Sequence, residues 1–145
     1  MMLPSTANRV PAHTAAKINR RIERQIETNI NYYAEHPHEI DQRLRELDQE
    51  WDIERTLEAN ASTLALGGTL LGAFVDRRLL VLPALVTAFL LQHALQGWCP
   101  PIPIFRRRGV RTAEEIARER YALKALRGDF SSAQTSAAGR ARASG

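Results

Sequence analysis

The sequence predicts an all-α protein built on a two-span antiparallel transmembrane helical hairpin, with cytoplasmic amphipathic helices on both sides. Three observations predict it. Two uncharged runs, Ala59 to Val75 (17 residues) and Leu79 to Trp98 (20 residues), are separated only by Asp76-Arg77-Arg78. Outside those runs, apolar residues recur every three or four positions, the period of a helix with one buried face. Charge is also sorted along the chain: residues 1–58 carry a net −3, residues 59–105 a net +1 and residues 106–145 a net +6. A soluble surface mixes both signs throughout, so this is not the pattern of an ordinary soluble domain. The length of 145 residues suits one domain with tails, and the single cysteine, Cys99, excludes a disulfide scaffold.

Residues 1–13 contain Pro4 and Pro11 and no apolar periodicity. They lack the basic start and apolar run of a signal peptide and are expected to be a flexible leader. Residues 14–58 are expected to form charged helices. Ile18, Ile22, Ile26, Ile30 and Tyr33 mark the buried face of the first. It should stop near Glu35, because a residue before proline avoids helical angles and Pro37 follows His36. Pro37 suits the start of the next helix, where its missing N–H costs nothing. Ile40, Leu44, Leu47 and Trp51 form a second stripe. With no breaker after it, one long helix is expected from about Pro37 into the apolar zone.

Residues 59–98 are the hairpin. At ~1.5 Å per residue the second run spans ~30 Å, one hydrocarbon core, and the first ~25 Å. Pro83 is tolerated near the start of its helix, where first-turn donors lack partners. The competing arrangement, a soluble protein burying both runs, needs apolar partner surfaces on every side, and the rest of the chain offers two narrow stripes. Residues 99–111 are an exit segment, expected to be extended because Pro100, Pro101 and Pro103 crowd four positions. Arg106, Arg107, Arg108 and Arg111 follow; they are assigned to topology and to anionic lipid headgroups, at about 1 kcal/mol each. Cations near span ends favour the cytoplasm, so both termini are placed there against the weaker pull of Arg77 and Arg78. Thr112-Ala113-Glu114-Glu115 reads as a capping box, with Thr112 the cap and Glu115 reaching back. The helix over 112–128 should end at Gly128, and residues 129–145 form a disordered tail.

Ala61, Ala65, Gly68 and Gly72 share one face of the first span, and Ala84 and Ala88 repeat the spacing on the second. Small residues let helices approach closely in lipid. They either pack the hairpin on itself or also make a homodimer.

Sites of chemistry are few. Cys99 is a candidate thiol: neighbouring arginines can lower a thiol pKa, whereas a small apolar filler in a turn would be inert. His36 and His38, flanked by Glu35 and Glu39, lack the further ligands that a metal needs and read as a polar turn. His93, with Gln92 and Gln96, lies near a span end, where polar groups reach the interface. No catalytic set, metal site, cofactor, nucleic-acid site or small-molecule substrate is expected. The expected partners are membrane lipids and, through the small-residue face, a homodimer or larger membrane complex.

Gly97-Trp98-Cys99-Pro100 and Gly109-Val110-Arg111-Thr112 follow the apolar runs. With them, the segment of residues 64–112 resembles the YgaP-like transmembrane-hairpin family, the membrane part of a bacterial inner-membrane rhodanese. That family pairs a Gly-aromatic-Cys-Pro motif with a Gly-hydrophobic-X-Thr motif. The resemblance implies a bacterial inner-membrane protein. It does not bring sulfurtransferase activity, because the chain has no second cysteine and no alternating strand–helix pattern. The reading is a non-enzymatic structural or interaction subunit. The alternatives are a membrane-anchored thiol or sulfur-relay accessory using Cys99, and a soluble helical interaction protein.

Overall fold

The computed structural model describes residues 9–131 and is all-helical, with no strand among the described residues. Its helices are α1 (Arg9–Ala12), α2 (Ala16–Glu35), α3 (Ile40–Gln49), α4 (Ile53–Phe74), α5 (Val81–Gln96), α6 (Ile102–Arg107) and α7 (Ala113–Arg127). Short 3-10 turns at Pro37–Glu39 and Arg77–Leu80 precede α3 and α5. The chain forms two compact units. The first comprises the segment up to Ile22 together with Trp51–Ala113; the second comprises Glu23–Glu50 and the chain from Glu114.

In the first unit, α4 and α5 form an antiparallel hairpin. Their facing pairs run in opposite directions: Gly72 meets Leu80, Gly68 meets Leu82 and Pro83, and Glu54 meets His93. Asp76 makes the turn, its side chain accepting from the N–H of Arg78 at 2.9 Å. The seam of α4 runs through Ile53, Leu57, Ala61, Ala65, Gly68 and Gly72. On α5 the less exposed residues are Pro83, Val86, Leu90 and His93, spaced three or four apart, with Gln92 beside the last. Ala84 and Ala88 are exposed instead. Leu80, Leu82 and Pro83 lie over the two glycines, with Leu80 and Leu82 still largely exposed, and the two alanines face away from this seam.

Three other expectations are corrected. The long helix from Pro37 breaks at Glu50–Asp52. Glu50 is extended (ψ 129°), and Asp52 restarts the helix as an N-cap, accepting from the N–H of Arg55 at 2.8 Å. Trp51 therefore leaves the apolar stripe and lies exposed, with the Arg55 guanidinium 4.4 Å over its ring. The exit segment is not wholly extended. Pro101 caps α6 and Pro103 falls in its first turn, where a missing N–H breaks no helical hydrogen bond. Residues 9–13, expected in the leader, include α1, whose Val10 is buried beside Ile53 and Leu57. Residues 1–8 of the leader and 132–145 of the tail lie outside the described residues.

The second unit packs Ile40, Leu44 and Leu47 of α3 against Ile116 and Leu123 of α7, with Tyr33 of α2 at the edge. Glu119 is fully buried there and accepts from Arg43 Nε at 2.9 Å and from Asn29 Nδ2 at 3.1 Å. Arg120 bonds the Leu47 carbonyl and Asp48. In the polar turn between α2 and α3, His36 stacks on Tyr32 and bonds its carbonyl at 2.8 Å.

Candidate functional site: the base of the hairpin

The chemistry-bearing residues of the first unit gather where α4 begins and α5 ends. A helix ends with carbonyls that have no partner within it. At α5, Gly97 adopts φ 74° and returns its N–H to the His93 carbonyl at 2.7 Å. Arg9 Nη1 donates to the Ala94 carbonyl at 2.6 Å, and His13 Nε2 bonds the Gln96 carbonyl at 3.1 Å. The α1 segment thus caps the end of α5, and its cation meets the negative end of the helix dipole. A β-carbon at position 97 would strike Arg9, so this glycine is required by both its backbone angle and its neighbour.

Beneath that cap, Cys99 is buried with Val10, Ile53, Leu57 and Ile102, and Phe105 and Val110 pack on the cluster. Its surroundings are aliphatic, and burial pushes the thiol above its ordinary pKa. Of the two readings of this thiol, activated by arginines or an inert filler, the desolvated surroundings fit the filler. The Cys99 carbonyl accepts from the Ile102 N–H at 3.0 Å and helps open α6.

The four exit arginines separate into two kinds. Arg107 and Arg108 are exposed. Arg106 is fully buried, donating to the Val110 carbonyl at 3.1 Å and to Asn19 Oδ1 at 3.0 Å, and Arg111 is also buried. The headgroup role expected for Arg106 and Arg111 is corrected: both side chains are interior. The Arg111 carbonyl accepts from the Ile53 N–H at 2.9 Å, tying this segment to the first residue of α4. Gly109, at φ 90°, allows the turn that brings the Val110 carbonyl onto Arg106. Thr112 is buried immediately before α7, and Glu115 lies in that helix's first turn.

Sequence reasoning passed over Glu54. His93 is 4% exposed, and its Nε2 lies 2.7 Å from Glu54 Oε2. The Nε2 faces the Glu54 carboxylate, and the buried Nδ1 has no hydrogen-bond partner. This bond ties the two hairpin helices at their open end. The signal was the placement of Glu54 and His93 at the matching ends of the two runs, legible only once the register was known. Arg9, Glu54, Glu58 and His93 border a cleft of 260 Å³. A separate apolar groove of 190 Å³ runs past Ala61, Leu64, Val86, Phe89 and Cys99. Among the described residues, no group of three His, Cys, Asp or Glu side chains converges to hold a metal ion.

No family model, curated protein or solved structure matches the chain. One helical stretch among the described residues, Arg77–Gln96, is long and apolar enough to cross a membrane.

Proposed function

We propose that the chain is a small bacterial inner-membrane protein whose α4–α5 hairpin crosses the bilayer twice, with both ends in the cytoplasm. It works without catalysis, as a structural or interaction subunit of a larger membrane assembly. The observation that carries this reading is the exposure of Arg77–Gln96. It is 20 residues long, yet only 6% of its apolar window is buried. A core helix of a soluble protein hides such a surface, whereas lipid covers it at no cost.

Three features of the hairpin support the reading. Leu64, Leu66, Leu70, Leu71 and Phe74 of α4 are exposed in the same manner as α5. Ser62, Thr63, Thr69 and Thr87 each donate to the carbonyl four residues back, so no hydroxyl in the apolar zone asks for water. Trp51 and Trp98 flank the base, the level at which tryptophan favours the membrane–water boundary. Gly97 and Gly109, on either side of the exit segment, take left-handed angles that turn the chain back toward the hairpin base. Sulfur relay is not part of the proposal, because Cys99 is buried in an aliphatic cluster. Association with a second copy or another subunit would use outward faces, since Gly68 and Gly72 are already filled from within.

The test is a pair of reporter fusions, after Arg108 and at the C-terminus. Both are expected to read cytoplasmic, and the chain should stay in membranes through an alkaline wash. A periplasmic signal from either fusion contradicts the orientation.

A further inference from the structure

We propose that the first turns of α2 and the end of α6 together form one cationic face that seats on anionic phospholipid headgroups. On α2, Lys17, Arg20 and Arg21 are spaced three and four apart and are all exposed. At the end of α6, Ile104, Arg107 and the C-cap Arg108 repeat that spacing and are also exposed, Ile104 by 53%. The two triplets are far apart in sequence but joined in the fold. Arg21 Nη2 donates to the Arg107 carbonyl at 2.6 Å, and Arg106 Nη2 donates to Asn19 Oδ1 at 3.0 Å. A carbonyl accepts the Arg21 hydrogen bond without cancelling its charge.

Residues 9–22 and 98–113 contain no Asp or Glu, and the first carboxylate on α2 is Glu23, one turn beyond Arg20, so the face keeps a net positive charge. Two acidic groups of the hairpin base are engaged elsewhere, Asp52 in its helix cap and Glu54 with His93. The exposed Ile104 decides the kind of partner. A cationic face with an apolar anchor suits the boundary between headgroups and acyl chains. An oligonucleotide would gain the charges but leave the isoleucine without use, and it would favour an aromatic platform for stacking bases. The placement agrees, since α6 follows α5 after only the Gly97–Pro101 turn.

This inference rests on the membrane reading above, and the test separates the two. The chain has only two lysines, Lys17 on the face and Lys124 on α7, so Lys124 serves as an internal reference. The full chain is reconstituted into vesicles of phosphatidylcholine alone, or of phosphatidylcholine mixed with phosphatidylglycerol. The acetylation rate of Lys17 is measured relative to Lys124. Phosphatidylglycerol should slow Lys17 about fivefold. High salt should restore the rate, as should R107Q/R108Q, which removes two charges but keeps the carbonyl that Arg21 holds. Equal rates in both lipids overturn the proposal. So does slowing that persists in R107Q/R108Q, or slowing produced by an added oligonucleotide and not by phosphatidylglycerol. Alkaline extraction of the same vesicles reports insertion independently. Retained protein without slowing sinks the face alone, whereas extracted protein that still shows slowing sinks the hairpin alone.

Discussion

Three glycines in α4 allow a matched comparison in which the chemical change is constant and only the surroundings differ. A β-carbon at Gly67 meets nothing within 4 Å. At Gly68 it would lie 2.7 Å from Pro83 Cδ, part of a ring that cannot rotate away. At Gly72 it would lie 2.5 Å from Leu80 Cδ2 and 3.1 Å from the Leu80 backbone nitrogen. Replacing a helical glycine by alanine is worth roughly 1 kcal/mol in intrinsic preference, common to all three. Overpacking a close contact costs about 1–3 kcal/mol. Gly67→Ala should therefore stabilise the hairpin by about 1 kcal/mol, and Gly68→Ala and Gly72→Ala should each fall about 1–3 kcal/mol below it. Isoleucine at either seam position should be worse. The assay is unfolding in a mild detergent titrated with a denaturing one, followed by helical circular dichroism. Equal shifts at all three positions would refute the seam through Gly68 and Gly72.

Three further outcomes are expected. Glu54→Ala should destabilise by roughly 1–3 kcal/mol, because it leaves both nitrogens of a buried imidazole without a partner; the same unfolding titration reads it, and an unchanged midpoint would remove the His93–Glu54 tie. Glu119→Ala should cost about 1–3 kcal/mol through the second unit, because Asn29 Nδ2 and Arg43 Nε lose the buried acceptor they share, whereas Glu46→Ala, on the exposed side of the same arginine, should cost under about 1 kcal/mol. Cys99→Ala should leave insertion intact, and alkylation of the native thiol should need pH above its ordinary value. With the folded thiol pKa raised, the stability linked to protonated Cys99 is complete below the unfolded value and is lost as pH rises through the folded one. An alkylation midpoint near neutrality would reverse this.

Much of the helix pattern was legible because local residues dictate it. Pro37 forbids helical angles just before it, and α2 ends at Glu35. Gly128 takes φ 91° directly after α7 ends at Arg127. What was missed depended on tertiary register. Asp52 looked like one more acid in an acidic helix, and only its extended backbone makes it a cap. Arg106 looked like a surface cation, because nothing in the local sequence foretells that Asn19 and the Val110 carbonyl will receive it. Pro103 breaks a helix only in its interior, and the start of α6 at Ile102 puts it in the first turn, a boundary that three closely spaced prolines do not reveal. The spacing of Ala84 and Ala88 gives them a common face but does not say whether that face meets α4, and in the fold it is exposed.

The most direct measurement of the central account is sidedness of the hairpin in intact cells. Cysteines are placed one at a time, in a Cys99→Ser background, at Asp76 in the turn and at Tyr121 on α7. A membrane-impermeant thiol reagent is then added from outside, with the outer barrier permeabilised. Crossing twice with the ends inside predicts that position 76 is labelled at once and position 121 only after the inner membrane is broken. Labelling of 121 in sealed cells, or protection of 76 until breakage, would contradict it.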